Sequence, residues 1–128
     1  MLAQTRNNLG WGLIERAEAY VVAGDLETAR SLVVEARSLD PAYPEVLNNQ
    51  ATQLLQQGDA AAAIPKYKLA LLMQPGHARV RTNLALALAA GGRVDEALAE
   101  AREAQRALPD DPGLAQLISR LEQAHANP

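Results

Sequence analysis

Gly24, Gly58 and Gly92 stand 34 residues apart, and so do Pro41, Pro75 and Pro109. The 128-residue chain holds only 8 Gly and 7 Pro, so two such columns do not arise from abundance. Three alanine columns keep the same step: Ala17, Ala51 and Ala85; Ala29, Ala63 and Ala97; Ala36, Ala70 and Ala104. A fixed step of this length means stacked copies of one supersecondary unit. Each copy must bury its apolar face on the next, which excludes most other folds for the chain.

The columns have physical reasons. A glycine reaches the left-handed conformation at little cost, so each one suits the end of a first helix. Asp25 and Asp59 follow as N-caps of a second helix. Each proline comes after that second helix, where it stops the helical run. The unit is therefore helix, glycine turn, helix, proline turn, and the alanines let neighbouring helices approach closely. Aromatic residues are 3% and Phe is absent, so the core has to be built from Leu, Ala, Val and Ile. Ala and Leu favour helix, which agrees with the pattern.

Helices are predicted at about 5–23, 26–39, 44–57, 60–73, 78–91, 94–107 and 112–125. Leu2 and Leu9 extend the apolar face of the first helix toward the N-terminus. Pro65 falls inside the fourth helix and predicts one lost backbone hydrogen bond and a mild kink. The last helix carries Gln116, Ser119, Arg120, Glu122 and Gln123, polar residues suited to a cap on the final unit.

These residues resemble the tetratricopeptide repeat, whose 34-residue unit has small residues at positions 8, 20 and 27 and Pro at 32. The resemblance implies an all-α, right-handed α-solenoid of antiparallel helix pairs over residues 1–128. Its repeats would run 10–43, 44–77 and 78–111, followed by a capping helix at 112–125. Position 11, usually large, is Tyr20, Leu54 and Leu88, and position 24, usually aromatic, is Val33, Tyr67 and Ala101. Arg16, Gln50 and Arg81 depart from the pattern without disturbing the small-residue and turn framework.

Other chemistry finds little support. A net charge of −3 gives no basic face for nucleic acid, and no apolar run is long enough to span a membrane. The lack of Cys excludes disulfides, thiolate metal sites and thiol nucleophiles. His77 and His125 are too far apart for a helical metal pair and read as surface or turn residues. Gly10 and Gly12 flank Trp11 without completing a phosphate loop, and Ser31, Ser38 and Ser119 have no triad context. The chain is expected to be a cytoplasmic non-enzyme without cofactor or metal, with homo-oligomerisation left open.

The family likeness implies a binding groove lined by the first helix of each pair. Its positions correspond to Trp11, Ile14, Glu18, Val21 and Val22 in the first repeat. In the second they are Glu45, Asn48, Thr52, Leu55 and Gln56, with Asn49 beside them. In the third they are Arg79, Thr82, Leu86, Ala89 and Ala90, with Asn83 beside them. An apolar wall, a hydrogen-bonding stretch and an arginine at the mouth would then meet in one groove. Some family members clamp the acidic C-terminus of a chaperone. The clamp positions here hold Ile14, Glu18, Asn49, Arg79 and Asn83, of which only Asn49 matches strictly, so that specificity is not expected. The expected function is a scaffold that binds a peptide or helix of another protein. The alternative is a fragment of a larger protein or assembly factor, acting through self-association or intramolecular docking.

Overall fold

The computed structural model describes residues 2–127, so residues 1 and 128 of the expected domain lie outside it. Among the described residues there are seven α-helices and no strand. They are α1 (Ala3–Ala23), α2 (Leu26–Leu39), α3 (Tyr43–Gln56), α4 (Ala60–Met73), α5 (Ala78–Ala90), α6 (Val94–Ala107) and α7 (Pro112–Ala126). The expected helices all form, with ends displaced by two residues at most. The architecture is an all-α helical-repeat solenoid.

The turn chemistry follows the sequence. Gly24, Gly58 and Gly92 adopt φ of +87°, +86° and +78°, a region that side chains rarely tolerate. Asp25 accepts a hydrogen bond from the backbone N–H of Thr28, and Asp59 from that of Ala62. The hydroxyl and amide of Thr28 together hold the Asp25 carboxyl below the ordinary aspartate range. At the third turn Arg93 replaces the aspartate and pairs instead with Glu96 at 2.7 Å. Asp111 caps α7 through the N–H of Leu114. Pro65 is accommodated within an unbroken α4.

The alanine columns are the contact surfaces within and between pairs. Ala17, Ala29, Ala51, Ala63, Ala85 and Ala97 have no exposed surface. Helices α1 and α2, α3 and α4, and α5 and α6 pack as pairs; α5 then packs on α4, and α7 on α6. Leu114, Ile118 and Leu121 of α7 are buried, while its five polar residues named above are exposed.

The first junction differs from the other two. Helix α2 has little contact with α3 and lies along α4 instead, and α1 also crosses α4. Arg37 of α2 donates to the carbonyl of Met73 at the end of α4, at 2.7 Å. Glu18 of α1 pairs with Lys66 of α4 at 3.5 Å. The composition of α4 accounts for this: Ile64, Tyr67, Leu69, Leu71 and Met73 are all buried, and together they occupy more than one side of the helix. A helix apolar on several sides is stable only between several neighbours, and α1, α2, α3 and α5 supply them.

At the N-terminus, Leu2 and Leu9 remain exposed, so the helix extends as expected without burying an extended apolar face. The contact there is made by Gly10 and Trp11. The Trp11 and Tyr43 rings meet edge to face, with centroids 5.1 Å apart and planes at 77°. The Tyr43 hydroxyl donates to the carbonyl of Asn7 at 3.4 Å. Gly10 leaves room for that ring, since a Cβ at this position would overlap the hydroxyl and lie 2.6 Å from Cζ. Gly12 faces open space. Alanine normally stabilises a helix by about 1 kcal/mol over glycine, and Gly12→Ala is expected to gain on that order. Gly10→Ala should instead lose about 1–2 kcal/mol, because overpacking outweighs propensity. Chemical denaturation of the two variants checks the sign at each site, and a gain at Gly10 would mean that the Tyr43 ring yields freely.

Candidate peptide-binding face

Helices α3 and α5 lie side by side, and Asn83 Nδ2 donates to Asn48 Oδ1 across them at 3.1 Å. Near their N-terminal ends is a cavity of about 380 Å³ lined by Pro41, Pro44, Glu45, Asn48, Asn49, Gln74, His77, Arg79 and Val80. Glu45 and Arg79 stand exposed on its two helices, and Asn49 is exposed beside Asn48. His77 is committed structurally: its Nδ1 accepts from the N–H of Val80 at 3.2 Å and caps α5. His125 likewise pairs with Asp95 at 2.6 Å.

Further along the face, several polar groups are satisfied internally. The Thr52 hydroxyl meets the Tyr67 hydroxyl at 2.7 Å. Burial pushes the Tyr67 phenol above its ordinary value, so it stays a neutral hydroxyl at physiological pH. Thr82 donates to the carbonyl of Ala78 one turn back, at 3.0 Å. Among the described residues, the exposed side chains of Glu45, Asn49, Gln56 and Arg79 have no hydrogen-bond partner, and Leu86 is exposed to 43% as an apolar contact. Leu55 is half-buried, as is Ala89, whereas Ala90 is exposed.

The residues expected from the first repeat do not join this face. Ile14 and Val21 are 2% and 6% exposed and belong to the core. Glu18 is held by Lys66 of α4. Trp11 is half-buried against Tyr43. Val22 is exposed, but beside Ile64 and Pro65 near the start of α4. The physical reason is the first junction: α1 turns toward α4, so positions that line a groove in a regular stack are covered or diverted. The expected apolar wall of the groove is therefore absent from its expected place. The sequence carried a signal for this in the apolar residues on several sides of α4.

The tetratricopeptide repeat profile matches residues 14–71 and 48–112, together most of the chain. The chain belongs to the tetratricopeptide repeat family. An inactive TPR repeat-containing thioredoxin, TTL3, from Arabidopsis thaliana is 36% identical over 78 residues. That stretch is 61% of this chain and 11% of the relative, so the likeness spans about a tenth of the longer protein. Among solved structures, the first TPR of Spaghetti (RPAP3) bound to the HSP90 peptide SRMEEVD aligns with a TM-score of 0.65 at 18% identity. The alignment covers 93% of this chain and 97% of that one. The Arabidopsis OM64 TPR domain aligns with a TM-score of 0.63 at 19% identity, over 93% of this chain and 98% of the other. The second TPR domain of human RPAP3, in complex with the HSP70 peptide SGPTIEEVD, also scores 0.63, at 15% identity over 94% of this chain and 98% of the other. At these identities the likeness is one of fold.

Among the described residues no helix is long and apolar enough to cross a membrane.

Proposed function

We propose that this tetratricopeptide repeat domain is a docking module that holds a segment of a partner protein along the face of α3 and α5. The observation that carries the proposal is the set of exposed polar side chains Glu45, Asn49, Gln56 and Arg79, without a hydrogen-bond partner among the described residues, with exposed Leu86 on the Arg79 stripe of α5 two turns along. Amides and a guanidinium satisfy the backbone of an extended peptide, and Leu86 gives an apolar side chain a place to bury. Two fold neighbours bound to chaperone peptides support peptide binding as the mode of action.

The carboxylate clamp of those neighbours' family is not the specificity proposed here. Two of its positions hold Ile14, which is in the core, and Glu18, which is negative and paired with Lys66. The ligand is instead a segment with hydrogen-bonding backbone and at least one apolar side chain.

Peptides selected by display on the wild-type domain should lose tenfold or more in affinity for Leu86→Glu. This corresponds to about 1.4–3 kcal/mol for an apolar contact removed from a buried site. The fold should be unaffected, because the new carboxylate reaches water. Titration calorimetry and thermal melting separate the two effects. Unchanged binding by every selected peptide would sink the proposal.

The alternative, a module within a longer protein that docks in cis or self-associates, draws support from the TTL3 match, where the similar stretch is a small part of a long chain. Sedimentation velocity distinguishes the two: a monomer that binds selected peptides favours the docking module, and a stable dimer with the α3–α5 face occluded favours self-association.

A further inference from the structure

A second groove lies on the side of the molecule where α2, α4 and α6 come together over α5. A cavity of about 590 Å³ lies between α2, α4, α5 and α6, a volume in the range of specific ligand pockets. Its floor is aliphatic, with Leu71, Leu72, Leu84 and Leu88 contributed by α4 and α5. Leu26 of α2 stands at its edge, 47% exposed. Ala99 on α6 is small and exposed, so it does not close the far side.

The charges on the rim are unequal in what they have left to offer. On the α6 side, Glu96 is engaged by Arg93 through two hydrogen bonds of 2.8 and 2.7 Å. Glu100 is engaged by Arg81 at 2.7 Å, and Arg81 also donates to the carbonyl of Pro75 at 2.8 Å. Arg30 of α2 and Lys68 of α4 line the groove without an ion-pair partner within 4.0 Å among the described residues, and Lys68 stands near enough to Glu96 to join Arg93 in holding that carboxyl below the ordinary glutamate range. With Arg93 already neutralising Glu96, Lys68 and Arg30 leave a positive surplus beside the apolar trough, which is complementary to one kind of occupant.

We propose that this groove docks an amphipathic helix of a partner protein, with an aliphatic ridge in the trough and Asp or Glu residues along the edge facing Arg30 and Lys68. The site is separate from the α3–α5 face and does not depend on it.

The test uses two display libraries of helical peptides sharing one Leu ridge, one with Asp and Glu along a single edge and the other with Lys and Arg there. The wild-type domain should enrich binders from the acidic library only. Leu26→Asp should weaken them at least tenfold, and Leu86→Glu, on the other face, should leave them unchanged. Arg30→Glu combined with Lys68→Glu should transfer the preference to the basic library, a gain that a damaged fold cannot produce. Circular dichroism melts confirm that each variant is folded. The proposal is overturned if the acidic library yields no binder, or if its binders ignore both Leu26→Asp and the charge reversal. It is equally overturned if the wild-type domain sediments as a dimer that Leu26→Asp dissociates, because the occupant is then a second copy.

Discussion

Ala85→Glu is expected to unfold the domain or to lower its melting temperature by well over 10 °C. Ala85 has no exposed surface and lies on α5, which packs against both α4 and α6. Glutamate there overfills a close contact and buries a carboxylate without a partner, together costing several kcal/mol. The neighbouring residue is the control. Leu86 is 43% exposed, and Leu86→Glu should move the melting temperature by only a few degrees. The two positions share a helix and differ by a rotation of about 100° around its axis. Parallel thermal melts decide the matter, and a folded Ala85→Glu beside an unfolded Leu86→Glu would place α5 in the wrong phase.

Removal of residues 112–128 should produce the second large effect. Helix α7 buries Leu114, Ile118 and Leu121 against α6, at 2%, 8% and 4% exposure. In a stacked array, stability is a sum of unit and neighbour terms, so losing α7 deletes a whole neighbour term and leaves the face of α6 bare. We expect a loss of about 3 kcal/mol, or on the order of 10 °C in melting temperature for a domain of this size. Solubility should fall as well, because the uncovered face is apolar. Differential scanning calorimetry of the full and shortened chains measures the first effect and light scattering the second. An unchanged melting curve would mean that α7 contributes nothing as a cap.

The fold was legible because its punctuation is chemical. A glycine at φ near +80° and an aspartate after it are local requirements, and local requirements survive in a sequence as columns. The alanine columns were legible for a related reason, since each marks a place where two backbones approach. The candidate site was only partly legible. Asn48 and Asn83, read from the repeat positions of α3 and α5, do meet across the two helices. Positions on α1 were assigned as if every junction were alike. Ile14 and Val21 carry no sign of their own that they are buried against neighbours rather than open to a ligand. The sign lay elsewhere, in Ile64, Leu69 and Leu71 of α4, which needed covering from a side that a regular stack leaves bare. Gly10 was a second unread sign. A glycine inside a helix is unfavourable by itself, and here the close approach of Tyr43 explains it.

The binding face is tested most directly by nuclear magnetic resonance of the isotopically labelled domain, titrated with a peptide selected on the wild-type protein from an unbiased extended library. The side-chain amide signals of Asn49 and Gln56, the guanidinium of Arg79 and the methyls of Leu86 should shift with a common saturation curve, while the signals of Ile14 and Glu18 stay in place. Shifts concentrated on α1, at Ile14, Glu18 and Val21, with the α3–α5 face silent, would contradict it.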